Sequence, residues 1–275
     1  MTSIRDTLLQ LKNQFTDKTK YNDAVILLAH TLQCSKEKLI AFDETKISKA
    51  EADLLAAKIS RLQAGEPLAY IIGEKEFWSL KLNVNSDCLI PRPDTECLVQ
   101  WVLDNTKNTA KLDVLDLGTG SGAIACALAH EQKNWAILAT DISRSALEVA
   151  KNNAQQLNLD NIKFKNTSFF DGLQHDSFDI IISNPPYIAP GDKHLPALSF
   201  EPKQALVAND SGYADLNHII ENAQKFMRKN AIIILEHGYD QADALLDKLK
   251  ENNYTNATSH YDYAGNARFV TAYKG

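Results

Sequence analysis

Asp116-Leu117-Gly118-Thr119-Gly120-Ser121-Gly122-Ala123, running straight into the apolar stretch 124–129, is the segment on which the reading of this 275-residue chain turns. Three glycines within five residues let a chain turn tightly after a strand and let a ligand approach the start of a helix. The flanks agree, because 112–117 reads as a buried strand and the residues from Gly122 onward as a helix. The same alternation continues downstream. Strands are expected at 135–140, 162–165, 178–183 and 231–235, a helix from Ser143, and two late segments near Tyr254 and Phe269. Strands alternating with helices make a mostly parallel sheet covered on both faces, so the fold class is α/β, doubly wound. Ligands in such sheets bind outside the carboxyl ends of the strands, which says where to look for chemistry.

Upstream, residues 1–66 read as a small bundle of short amphipathic helices. Ile4, Leu8, Leu11 and Phe15 recur at helical spacing, and 24–32 and 36–42 supply two more helices. Ser48 and Glu51 form a capping box, Leu55, Ile59 and Leu62 line one face behind it, and Gly65 with Pro67 ends that helix. Residues 67–93 read as a β-hairpin connector and linker: a strand at 70–72, a turn at 73–75, then Leu80, Leu82 and Val84 alternating with polar residues. Residues 94–275 form the remaining domain, with Asp94 expected to cap a helix carrying Leu98, Trp101 and Val102, and 266–273 as a closing strand.

Composition excludes several classes. No apolar run approaches the roughly 20 residues of a membrane helix, and 1–15 lacks a basic stretch followed by an apolar one, so a cytoplasmic, non-membrane protein is expected. Cys34, Cys88, Cys97 and Cys126 contain no C-x-x-C pair, so neither a metal centre nor a disulfide framework is indicated. A net charge of −6 without a lysine or arginine block argues against stable, sequence-blind nucleic-acid binding.

Gly118, Gly120 and Ala123 loosely satisfy a dinucleotide fingerprint, and Asp141, after the second strand, stands where an acid binds ribose hydroxyls or caps the next helix. Charge separates the two cofactors such a loop can serve. Asp116, two residues before the first glycine, repels a pyrophosphate and attracts the ammonium and sulfonium of S-adenosyl-L-methionine. The loop 118–122 (Gly118, Thr119, Gly120, Ser121, Gly122) and Asp141 are therefore assigned to that cofactor.

The expected strand 178–183 ends in Asn184-Pro185-Pro186-Tyr187. A polar residue, two prolines and an aromatic arise by chance in roughly one chain of this length per hundred, and this run falls on the same sheet edge as the glycine loop. A planar amine is a poor nucleophile because its lone pair is delocalised, so it needs orienting more than deprotonating. The Asn184 side-chain oxygen and the Pro185 carbonyl are two acceptors for its N–H groups, stiffened by proline, and Tyr187 offers a stacking face. Asn184 and Pro185 are the candidate catalytic residues. The seven histidines are scattered and carry no role in this reading, and Glu236-His237-Gly238, after a buried strand, is assigned none.

With these pieces in place the chain resembles the release factor glutamine methyltransferases (PrmC/HemK type). The resemblance rests on Glu66-Pro67-Leu68-Ala69-Tyr70-Ile71-Ile72-Gly73, Leu89-Ile90-Pro91-Arg92-Pro93-Asp94-Thr95-Glu96, the glycine loop and Asn184 to Tyr187. It implies a methyltransferase-type sheet with a helical front domain for substrate recognition. It also implies methyl transfer from S-adenosyl-L-methionine to the glutamine nitrogen of the Gly-Gly-Gln loop in class I peptide chain release factors. By position, Gly118 to Gly122, Asp141, Phe169 and Asn184 would hold the cofactor, and Asn184, Pro185, Pro186 and Tyr187 the glutamine. Members often carry an acid and a tryptophan where this chain has Ser168 and Phe169, so the aromatic platform is kept and the carboxylate is not. A monomer is expected. Arg92 reads equally as a structural ion pair or a substrate contact. The alternatives are an adenine N6 methyltransferase on DNA or RNA, using the same two acceptors, and an NAD-dependent oxidoreductase, which Asp116 opposes.

Overall fold

The computed structural model describes residues 2–106 and 111–275 and divides into two compact units, Met1–Glu74 and Lys75–Gly275. In the first, α1 (Ile4–Gln14), α2 (Lys18–Thr31), α3 (Lys36–Ala41), α4 (Lys49–Gln63) and α5 (Leu68–Ile72) enclose a core that includes Leu27, Leu28, Leu39 and Ile59. The capping box forms as expected. The Glu51 N–H donates to Ser48 Oγ (3.2 Å) and the Ser48 N–H to Glu51 Oε2 (2.8 Å).

One expectation fails here. Residues 70–72 are not a strand but the end of α5, closed by Gly73 in the left-handed region (φ 86°). A short unbroken apolar run has no periodicity with which to tell strand from helix, and burial of Tyr70 and Ile71 on the helix decides it. Helical structure thus continues to Ile72 instead of stopping at residue 66, and the compact unit runs to Glu74.

The hairpin of β1 (Glu74–Phe77) and β2 (Leu80–Asn83) follows, turning through Trp78 and Ser79, both at positive φ (52° and 58°). Such backbone is costly for residues with a Cβ, and here Trp78 is tied down at both of its N–H groups. Its backbone N–H donates to Glu96 Oε1 and its indole Nε1–H to Glu131 Oε1, each at 2.9 Å. A 3-10 turn, Pro93–Thr95, leads into α6 (Glu96–Asn105). Asp94 does not cap this helix, as the sequence had suggested. It lies inside the turn, with its carboxylate 3.4 Å from Arg268.

The rest alternates as anticipated: β3 (Asp113–Leu117), α7 (Ala123–Glu131), β4 (Ala136–Asp141), α8 (Arg144–Gln156), β5 (Ile162–Asn166), β6 (Phe178–Ser183), α9 (Ala214–Ala223), β7 (Met227–Glu236), α10 (Ala242–Glu251), β8 (Thr255–Tyr261) and β9 (Ala267–Tyr273). The seven-stranded sheet runs β5-β4-β3-β6-β7-β9-β8, parallel from β5 to β7, with β9 antiparallel to both of its neighbours. Side chains alternate between two cores, one on each face: Val114, Ile180 and Ile182 in one, Leu115 and Ile181 in the other. From β3 the chain steps outward through β4 to β5, then returns to β6 on the other side of β3. This change of direction opens a crevice at the carboxyl ends of β3 and β6.

Fully buried Asn153 on α8 braces that end. Its Nδ2 donates to the carbonyls of Asn83 (3.0 Å) and Ser121 (2.9 Å), and its Oδ1 accepts the Asn83 N–H (2.7 Å). One side chain thus ties β2 to the glycine loop. Replacing it with alanine strands three backbone groups, and Asn153→Ala is expected to destabilise the second unit by about 3 kcal/mol. Urea unfolding followed by tryptophan fluorescence checks this cleanly, since Trp78, Trp101 and Trp135 all belong to that unit.

Candidate functional site

Backbone pairing aligns four strand ends. Leu117 of β3 lies opposite Thr140 of β4 and Ser183 of β6, and Ser183 lies opposite Leu235 of β7. The next residues, Asp141, Gly118, Asn184 and Glu236, therefore lie side by side at the sheet's carboxyl edge, Asp141 and Glu236 as the last paired residues of β4 and β7. Ser183 reinforces the alignment by donating its hydroxyl to the Leu117 carbonyl at 2.7 Å. The glycine loop and the Asn184 loop share one rim, as the sequence required.

A cavity of about 300 Å³ opens there, a volume suited to a small ligand. Gly118, Thr119, Gly120, Ser121, Asp141 and Phe169 line it, and Asn184 and Pro186 reach its other wall. Gly122, Pro185 and Tyr187 stand outside these walls. Gly122 has a packing role instead: a Cβ added there would lie 3.0 Å from the Ala150 Cβ, at a φ of 82° that side chains avoid. Glycine at that position lets α7 begin against α8.

Asp116 lies beneath the loop, 1% exposed. Its Oδ2 accepts the Thr119 hydroxyl (2.7 Å) and the Ala125 N–H (3.2 Å), which holds the loop against the start of α7. Its Oδ1, equally buried, has no partner. Burial pushes the Asp116 carboxyl up to about 7, opposed by those two donors. A buried acceptor without a partner is costly, and Asp116 sits beneath the cavity-lining residues 118–121 and not among them. Asp141 is held in another way. Gly120 N–H donates to its Oδ2 (2.9 Å) and Ser143 N–H to its Oδ1 (2.8 Å), and the residue also borders the cavity. The N-cap of α8 is Ser143, so capping does not account for Asp141. Burial raises the Asp141 carboxyl above the ordinary aspartate range.

Phe169 is half-buried, at φ 43°, its ring centroid 4.8 Å from that of His218. It packs against the core and faces the cavity at once. In the same wall stands Asp215, in the first turn of α9. This is a carboxylate the sequence reading did not assign, close to the place where Ser168 lacks one. Arg92 forms an ion pair, its Nη2 2.5 Å from Glu201 Oε1, while Glu201 Oε2 accepts the Ile90 N–H (3.1 Å), and Arg92 also lines the cavity.

The Asn184 loop is held rigidly. Ile188 exchanges backbone hydrogen bonds with Leu206 (2.9 Å) and Ala208 (3.1 Å). Gln241 Nε2 donates to the Tyr187 carbonyl at 3.2 Å, and Gly212 admits the same carbonyl, which a Cβ there would meet at 2.3 Å. The Tyr187 hydroxyl donates to Glu236 Oε1 (3.2 Å), the Thr95 hydroxyl to Glu236 Oε2 (2.6 Å), and Asn184 Nδ2 to Thr95 Oγ1 (3.2 Å). Sequence reasoning missed Thr95 and Glu236. The available signal was a lone carboxylate directly after the apolar run 231–235, at the tip of a strand where charge is otherwise costly to bury.

Burial raises two carboxyls, Asp116 and Glu236, to about 7, and each makes stability depend on pH. Asp116 binds its proton more tightly folded than unfolded, where its ordinary value is 3.8. Its contribution to stability therefore falls as pH rises from about 4 to about 7, and is flat above that. Asp116→Asn removes this penalty. Its thermal stability relative to the unsubstituted chain is expected to improve by about 2 kcal/mol between pH 5 and pH 7.5, read from unfolding curves across that range. A pH-independent difference would remove Asp116 as the source.

Known proteins share this architecture. Residues 108–270 match the family described as a methyltransferase domain, and residues 6–73 match the PrmC N-terminal domain. Among solved structures, the catalytic domain of hMettl16 in complex with a MAT2A 3'UTR hairpin superposes with a TM-score of 0.62 at 19% identity, covering 92% of this chain and 91% of that one. A methyltransferase from Pyrococcus furiosus gives 0.55 at 17%, over 80% of this chain and 99% of that one. Both likenesses concern the fold. Sequence relatives lie much nearer. The release factor glutamine methyltransferase of Coxiella burnetii is 40% identical over the whole of both chains. That of Pasteurella multocida is 43% identical over 90% of this chain and 89% of its own, and that of Escherichia coli 39% over 96% and 95%. With both domains matched and relatives aligned end to end, the chain belongs to the release factor glutamine methyltransferase family.

Proposed function

We propose that this chain transfers a methyl group from S-adenosyl-L-methionine to the side-chain amide nitrogen of the glutamine in the Gly-Gly-Gln motif of class I peptide chain release factors. It acts as a monomeric cytoplasmic enzyme, a setting that suits cysteines that form no disulfide among the described residues. The reading is carried by Asn184 and Gly118 leaving paired strands at the same level, so that an acceptor group and a cofactor loop face one cavity.

The cofactor supplies a methyl group on a positively charged sulfur. Asp116 Oδ1 suits its ammonium, the backbone of 118–122 its methionine end, Asp141 its ribose hydroxyls and Phe169 the face of its adenine. Asn184 Oδ1 and the Pro185 carbonyl accept the two N–H groups of the glutamine amide and turn the nitrogen lone pair toward the donor. Pro185 and Pro186 stiffen the backbone that carries these acceptors, and Tyr187, its hydroxyl engaged by Glu236, is the expected stacking face for the flat amide as it enters from outside the cavity walls. Because the reacting amide gains from alignment in a dry site, no acid or nucleophile is needed. The helical unit Met1–Glu74 contributes recognition of the protein substrate beyond its reactive loop.

Purified protein with labelled cofactor should methylate an intact release factor and lose that labelling when the target glutamine is replaced. Labelling of DNA or RNA instead would put adenine-amine methylation in its place. Asn184→Ala is expected to lower turnover by about 100-fold while leaving cofactor affinity within about threefold, since it acts on the acceptor. Matching losses in both quantities would make Asn184 a cofactor ligand instead.

A further inference from the structure

We propose that Thr95, held by Glu236, is the positioning residue that decides which end of the Asn184 carboxamide faces the substrate. The inference rests on the reading of Asn184 as an acceptor and goes beyond it. A carboxamide has nearly the same shape when turned by 180°, but the turn exchanges an acceptor for two donors. Facing a substrate NH2, Asn184 works only with Oδ1 inward. Turned round, it sets N–H against N–H. Proline on its C-terminal side fixes the backbone, not this torsion.

Thr95 removes the ambiguity. It is 4% exposed, and its hydroxyl has a single proton. An ionised carboxylate can only accept, so the 2.6 Å contact to Glu236 Oε2 takes that proton. Oγ1 then has only lone pairs left for Asn184, 3.2 Å away, and Nδ2 is the end that satisfies them. Oδ1 is thereby turned away from Thr95. Burial raises the 1%-exposed Glu236 carboxyl to about 7, opposed by the Thr95 and Tyr187 hydroxyls and the nearby Arg268 guanidinium, so this selection operates in the ionised form that prevails above that pH. In the register of the sheet, Glu236 stands beside Asn184 just as Gly118 does on the other side.

Losing a hydrogen bond to a buried partner shifts such a balance by about tenfold. Thr95→Val keeps the shape and removes the hydroxyl. With cofactor and release factor both saturating, its turnover is expected to fall about tenfold or more, with cofactor affinity by equilibrium binding unchanged and turnover restored in Thr95→Ser. In an Asn184→Ala background the same substitution should cost nothing further, because there is no amide left to orient. Glu236→Met is expected to lower turnover to a similar degree, and Thr95→Val carries the test should that buried change not fold. Wild-type turnover in Thr95→Val, an equal loss in both backgrounds, or failure of serine to restore it overturns the inference and leaves the role of Asn184 standing. Wild-type turnover in Asn184→Ala itself overturns both.

Discussion

Everything at the site depends on a backbone constraint: four parallel strands, β4, β3, β6 and β7, that end at the same level. Side chains far apart in sequence cannot be brought into line by local conformation. Ladder hydrogen bonds do it, since each parallel pair fixes its register along the whole strand and a slip of one residue would turn every side chain to the opposite face. Leu117, Thr140, Ser183 and Leu235 share one level, so Asp141, Gly118, Asn184 and Glu236 emerge as a row. Asp141, Gly118 and Asn184 line the cavity, and Glu236 stands behind Thr95, which binds Asn184.

The row is costly to build. Asp116 and Glu236 are carboxyls in a low-dielectric interior, each raised to about 7, and Asp116 keeps one oxygen unpaired. A core designed only for stability would place apolar residues at both positions. Their presence marks where stability has been given up for chemistry, and the two are used differently. Asp116 is half satisfied, with Oδ1 lacking a partner among the described residues. Glu236 has a hydroxyl on each oxygen and is completed within the protein, so its effect reaches the site only through Thr95 and Tyr187.

Much of this was legible in the sequence, for identifiable reasons. The 2.0 and 3.6 periods fixed the order of strands and helices, and the glycines at 118, 120 and 122 all adopt the positive φ that their spacing implied. Asp116 was readable because a carboxylate beside a cofactor loop changes which ligand it tolerates. The segment 70–72 was misread because apolar residues without polar neighbours carry no period, and Asp94 because a capping residue and a member of a 3-10 turn look alike in one dimension. The pairing of Thr95 with Glu236 was invisible for a deeper reason. Their role is a hydrogen bond between residues brought together by the sheet order, and nothing local in either segment records the other.

That contrast bears on how the site achieves reactivity. Orienting a weak nucleophile demands precision in direction, and direction is lost through rotation about single bonds long before contacts are lost. Each rotation open to the acceptor loop meets its own restraint. Pro185 and Pro186 limit the backbone, Gly212 and Gln241 seat the Tyr187 carbonyl, Glu236 holds the tyrosine hydroxyl, and Thr95 selects the amide face. These restraints come from β7, from the turns before α6 and α9 and from the loop before α10, so no single segment can relax the loop alone. A reaction that asks for alignment in place of acid or metal is answered by a loop whose remaining freedoms are removed one at a time by the rest of the domain.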